Sequence, residues 1–152
     1  MNVTGEFIID APRQRVFNAI RDARFFASLV EGVQDLNEID PTHYDAVFET
    51  RVAYLKFRFK VTVEITKIQE PDEIEAKVEG TPLGVVGRLT ATSRTKLTAD
   101  GDKTRVGYST EAALTGKLGS LGQPVLRSKA REMEKQFAAR LAAAFAPSGA
   151  AS

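Results

Sequence analysis

Few side chains in this sequence are equipped for covalent or metal chemistry. The chain of 152 residues has no cysteine and a single histidine, His43. Without thiols there is no cysteine nucleophile, no disulfide framework and no zinc ribbon. One imidazole cannot supply a cluster of histidine ligands, so only a carboxylate metal site survives this count. His43 follows Asp40-Pro41-Thr42 with no partner at a catalytic spacing, and it reads as an exposed turn residue. The acidic pairs Glu70/Asp72 and Asp100/Asp102 sit at chain reversals and read as hairpin polarity rather than acid–base dyads or ion ligands. Gly116, Gly119 and Gly122 recur every third residue but form no phosphate loop, because no strand–loop–helix unit ends in Gly-Lys-Ser/Thr. They mark either a thin, mobile entrance near Leu118 and Leu121 or close packing of a helix on a sheet. No catalytic and no metal-ligating residue is assigned.

The elements that would position these residues follow from hydrophobic period. Thr4 to Asp10 reads as a short strand. Asp10 is the expected cap of a helix with Pro12 in its first turn, where a missing N–H is tolerated. Val16, Phe17 and Ile20 share its apolar face, and a second short apolar segment, Phe25 to Val30, stops at Glu31-Gly32. Strands follow around Val33 to Ile39 and Tyr44 to Ala53. From Leu55 to Ile65 apolar and polar residues alternate strictly, the mark of a strand with one buried and one wet face. At about 3.3 Å per residue it would extend about 36 Å. Ile74, Ala76 and Val78 alternate with Glu75, Lys77 and Glu79, acids expected to face Lys56, Arg58 and Lys60 on the solvent side. Two more strands, Val86 to Leu97 and Arg105 to Leu114, are joined by Asp100-Gly101-Asp102.

From Gly116 onward the chain reads as helix, with a restart near Gln123 at Pro124. Val125, Leu126, Ala130, Met133, Phe137, Leu141 and Phe145 cover one face. Arg127, Lys129, Arg131, Lys135 and Arg140, with Glu132 and Glu134, are assigned to the wet face, which serves as an ordinary solvated surface or as a basic docking face. The absence of β–α–β alternation predicts an antiparallel sheet and class α+β. One domain is expected over residues 1–146, with a flexible tail at 147–152.

Composition narrows the function classes. The 21 basic and 20 acidic side chains leave a formal charge of +1, so nucleic acid is not an expected partner. There is no basic leader and no apolar run near the about 20 residues a spanning helix needs. The expected location is therefore cytoplasmic, with any membrane contact peripheral. On the inward faces of the last two strands, Gly87, Ala91, Ser93, Thr95, Thr110 and Ala112 are small. A close-packed interior needs volume from both sides. Either Met133, Phe137 and the aromatics of the long strand fill the deficit, or a lined cavity remains.

The opening strand followed by Asp10-Ala11-Pro12-Arg13 and Val16-Phe17 resembles the START-like (SRPBCC) superfamily. Within it the sequence is most similar to the G-subunit family of carbon monoxide dehydrogenase. The likeness rests on Thr4-Gly5-Glu6-Phe7, Phe57-Arg58-Phe59-Lys60-Val61, Gly116-Lys117-Leu118-Gly119-Ser120-Leu121-Gly122-Gln123 and Lys129 to Phe137. It implies a helix-grip fold, a seven-stranded antiparallel sheet curved around a long C-terminal helix, with two short helices after the first strand. It also implies a non-catalytic accessory of a molybdenum carbon monoxide dehydrogenase that binds a lipophilic quinone, menaquinone or ubiquinone, and helps couple the enzyme to the inner face of the membrane. Leu55, Phe57, Phe59, Leu89, Ala91, Tyr108, Thr110, Ala112, Met133 and Phe137 are the expected interior lining, with Leu83, Val85, Leu118 and Leu121 at the mouth. Tyr108 is the expected polar contact to a headgroup, since a buried phenol needs a partner. Two rivals stand beside this reading. One is a polyketide cyclase or dehydratase-like enzyme, which needs an acid or base inside the cavity; the other is a docking or assembly factor with a filled core.

Overall fold

The computed structural model describes residues 1–146; the tail expected at 147–152 lies outside the described residues. The elements are β1 (Asn2–Ile9), α1 (Arg13–Arg21), α2 (Ala23–Ser28), β2 (Val33–Asp40), β3 (His43–Val52), β4 (Leu55–Gln69), β5 (Glu73–Pro82), β6 (Gly87–Asp100), β7 (Lys103–Thr115), α3 (Gly116–Gly119) and α4 (Gln123–Ala144). The seven strands form one sheet in the order β1-β7-β6-β5-β4-β3-β2, every neighbouring pair antiparallel. The short helices follow the first strand and the long helix packs on the inner face, the α+β helix-grip arrangement expected from the sequence.

Alternation dictates which side each strand buries. On β4 Phe57 and Phe59 are buried while Lys56, Arg58 and Lys60 are exposed. The strand runs on to Gln69, past a register shift between Ile65 and Lys67, where the two-residue period breaks. The expected pairing of β5 acids with Lys56, Arg58 and Lys60 is not formed. Register sets Lys60 against Thr81, so the acids turn to the other neighbour: Glu79 pairs with Arg88 at 3.5 Å, and Glu75 and Glu73 pair with Arg94 at 2.5 and 3.3 Å. Lys56 instead meets Glu49 of β3 at 2.9 Å.

The expected cap at Asp10 is likewise replaced. Ala11 is drawn into the core, with its carbonyl accepting from the buried Thr104 hydroxyl at 2.7 Å. The cap position of α1 therefore falls on Pro12, which offers no side-chain bond. Asp22 caps α2, accepting from the N–H groups of Arg24 and Phe25 at 3.0 and 3.1 Å. Gly122 caps α4, with Pro124 in its first turn.

Two apolar clusters hold the sheet to the helices. The first joins Ile9, Ala11, Val16, Phe17, Leu29, Leu97, Val106 and Leu141, so that α1, α2 and the end of α4 close over β1, β6 and β7. The second joins Val52, Phe57, Phe59, Leu118 and Leu126, with Leu55, Leu114 and Leu121 packed on it. Gly116 allows this second closure. At φ +69° its Cα lies against the backbone of Val86 and Gly87, where a Cβ would collide.

Candidate functional site

Between the sheet and α4 lies a cavity of about 780 Å³. Its size falls within the about 300–1,000 Å³ typical of small-molecule pockets, which sets aside a solidly filled interior. The apolar wall comes from Phe7, Ile20, Leu29, Val106, Met133 and Phe137. Ser93 and Thr110, facing partners on β6 and β7, and Thr95 supply the thin wall. Small side chains on two adjacent strands leave the space that α4 spans but does not fill. Phe26, 39% exposed, packs against Phe137 at the rim, with ring centres 5.0 Å apart and the planes tilted by 47°. Arg140 donates to the Leu29 carbonyl at 3.2 Å and fixes α4 to the end of α2 beside that rim.

Of the fourteen residues singled out from the sequence, Tyr108, Thr110, Met133 and Phe137 line this cavity together. The other ten lie outside its lining. Phe57, Phe59 and Leu118 are buried in the second cluster, with Leu55 and Leu121 against it. Leu89, Ala91 and Ala112 lie on the stretch of β6 and β7 toward Leu114, which packs on that cluster. Leu83 and Val85 are exposed, at 49% and 41%, on the connection between β5 and β6. The space is thus displaced along the strands from where residue size alone put it, because Leu118, Leu121 and Leu126 fold back over one end.

Sequence reasoning missed Ile20 of α1, Phe26 of α2 and Leu29 at its end, along with Glu49, Thr50 and Arg51 of β3 and the polar α4 residues Lys129, Glu132 and Gln136. For Ile20, Phe26 and Leu29 the signal was an apolar stripe too short to reveal which neighbour it faces. It also misassigned Glu134. Placed by helical spacing on the wet face, Glu134 instead lines the cavity and accepts a hydrogen bond from the Tyr108 hydroxyl at 2.7 Å. Its other oxygen, Oε1, is buried with no hydrogen-bond partner among the described residues. The phenol needed a partner, as expected, but finds it within the protein. Gly5, directly across the β1–β7 pair from Tyr108, leaves room for that hydroxyl, since a Cβ there would strike it. Burial, then the bond to Glu134, push the Tyr108 phenol up to about 12.

Several of the charged side chains of the lining are paired. Lys129 meets Glu132 at 3.0 Å and Lys56 meets Glu49 at 2.9 Å, which lowers the Glu49 carboxyl. His43 lies elsewhere, on β3, with Nδ1 at 2.9 Å from Asp40 and Nε2 at 3.5 Å from Glu64. The Asp40 bond raises the imidazole above its ordinary value and holds the carboxyl at about 2. This half-exposed cluster closes a turn, as expected. No group of three or more metal-ligating side chains converges among the described residues.

The family model for the G subunit of carbon monoxide dehydrogenase (CoxG) matches residues 5–146. A conserved protein from Geobacillus kaustophilus superposes with a TM-score of 0.88 at 22% identity, covering 96% of this chain and 95% of that one. A START superfamily protein from Mycobacterium smegmatis superposes at 0.71 with 10% identity, over 95% and 96% of the two chains. A protein from Chromobacterium violaceum gives 0.68 at 16% identity, over 96% and 97%. At these identities the structural likeness establishes the fold. No curated protein matches the sequence.

Proposed function

This chain belongs to the CoxG family of carbon monoxide dehydrogenase, and from that membership and its cavity we propose that it is a non-catalytic carrier of a lipophilic quinone serving a molybdenum carbon monoxide dehydrogenase. The observation that carries the reading is the cavity of about 780 Å³, walled by Phe7, Ile20, Leu29, Val106, Met133 and Phe137. Such walls bind by removing apolar surface from water. At about 0.8 kcal/mol per buried carbon, one five-carbon isoprene unit gains about 4 kcal/mol before ordering costs. Two or three units give useful affinity without any dedicated polar contact.

The cargo would come from a bilayer, and the protein would collect it by peripheral contact at the cytoplasmic face. No described helix is long and apolar enough to cross a membrane. Apolar side chains do project at one end of the sheet: Tyr54, 85% exposed, beyond β3, and Val86, 85% exposed, between β5 and β6. Arg58 and Lys117 are exposed around them, beside Lys56 and Arg88 in their ion pairs with Glu49 and Glu79, and the first two cations suit an anionic lipid surface.

Extraction of the protein purified from its native host with organic solvent, followed by mass spectrometry, tests the reading. Stoichiometric quinone supports it; an extract free of quinone from protein that also fails to bind added quinone overturns it. A second reading, an acid–base enzyme of the cyclase or dehydratase kind, gains from Glu134, a carboxylate on the cavity wall. It requires that a bound ligand be converted to product, and that Glu134→Gln abolish the conversion.

A further inference from the structure

We infer that the cavity reads the polar end of its ligand as a hydrogen-bond donor, a neutral hydroxyl, with Glu134 and Tyr108 as the acceptor pair. This rests on the proposal that the cavity holds a hydrophobic ligand, and deepens it by naming the chemistry of the headgroup. A phenol has one proton, and Tyr108 commits it to Glu134 Oε2 at 2.7 Å. Toward a ligand the Tyr108 oxygen therefore offers only lone pairs. Glu134 has a second carboxylate oxygen, buried and without a partner among the described residues. An unpaired buried acceptor is costly, more so when charged. The terminal torsion of a glutamate is soft, so a small rotation about the fixed Oε2 contact would bring Oε1 to a donor in the cavity.

The bias belongs to the Glu134–Tyr108 end alone, because the lining elsewhere also holds donors, the Arg51 guanidinium and the Gln136 amide. Ser93, Thr95 and Thr110 both donate and accept. The ammonium groups of Lys129 and Lys56 are engaged with Glu132 and Glu49. A carbonyl or ether set against Glu134 and Tyr108 places lone pairs against lone pairs, whereas a hydroxyl completes the arrangement. For a redox-active ligand the consequence is directional: the hydroquinone is held more tightly at this point than the quinone.

The test compares 2-naphthol with 2-methoxynaphthalene, which share one ring system and differ by the hydroxyl proton. Naphthalene fluorescence follows binding to the full chain. The expected result is one-to-one binding with the naphthol about fivefold tighter or more, even though the added methyl group favours the ether. In Glu134→Gln, Tyr108 can still donate to the amide oxygen, which turns the amide N–H groups toward the ligand, so the preference should vanish or reverse. Tyr108→Phe keeps the carboxylate and should keep the preference. A naphthol advantage below threefold in the wild type overturns the inference while leaving the cavity as a hydrophobic site. A Glu134→Gln variant that keeps the preference also overturns it. Binding of neither probe overturns the inference, and the carrier reading falls with it only if added quinone also fails to bind.

Discussion

Tyr108→Phe isolates the polar contact on the cavity wall, the Tyr108 hydroxyl on Glu134. The change removes one oxygen and leaves the ring, so packing against Phe7, 6.1 Å away between ring centres, is retained. What is lost is a donor to a carboxylate, at 2.7 Å, in a protein where the other oxygen of that carboxylate is already unpartnered. A hydrogen bond to a charged group contributes about 1.5–3 kcal/mol. The partly buried carboxylate keeps some access to water, so we take about 2 kcal/mol, or roughly 4–8 °C in Tm for a domain of this size. Urea unfolding gives the energy directly, and a double-mutant cycle with Glu134→Gln should return a coupling of about 1–2 kcal/mol. A spectroscopic arm is independent of folding energy. Tyr108 should ionise at about pH 12, and this late step should be absent from the variant's ultraviolet titration. Because the folded value is raised above the unfolded one, the associated stability is complete below about pH 10 and lost as pH rises through about 12. A Tyr108→Phe change below about 0.5 kcal/mol, with the wild-type and variant ultraviolet titrations identical near pH 12, would refute the reasoning.

Three further outcomes are expected. Leu141 is fully buried in the first cluster, so Leu141→Ala should cost about 3–4 kcal/mol in denaturant unfolding. Gly116→Ala adds a Cβ at φ +69° against the Val86 backbone and should cost more than about 1 kcal/mol, read the same way. The single imidazole gives one resolvable nuclear magnetic resonance titration. Its midpoint should lie above 6.5 and fall in Asp40→Asn, because Asp40 is the chief cause of the rise. By the same sign, whatever stability His43 adds is present below about pH 6.5 and lost as pH rises through the raised value.

The strands were legible because their period was unambiguous. Alternation over Leu55 to Ile65 forced one face of β4 inward, and small residues on β6 and β7 announced missing volume. What could not be read was where along those strands the volume is missing. That depends on Leu118, Leu121 and Leu126 folding back, a long-range event hinged on Gly116 and Gly122. Helical spacing placed Glu134 among solvated charges, yet Tyr108 draws it onto the cavity wall. The pairing spans elements far apart in sequence, and no local pattern records it. The cap moved from Asp10 to Pro12 for a similar reason: Thr104, far along the chain, fixes Ala11 in the core.

Calorimetric titration with a naphthoquinone bearing two isoprene units addresses the enclosed space directly. For the wild type we predict one-to-one binding with Kd about 10 μM or tighter and a negative heat-capacity change, the mark of apolar burial. In Thr110→Trp, whose indole would occupy the cavity, binding should be lost while the fold persists. Saturable binding that Thr110→Trp leaves unchanged, or no binding by the wild type at all, would contradict the account.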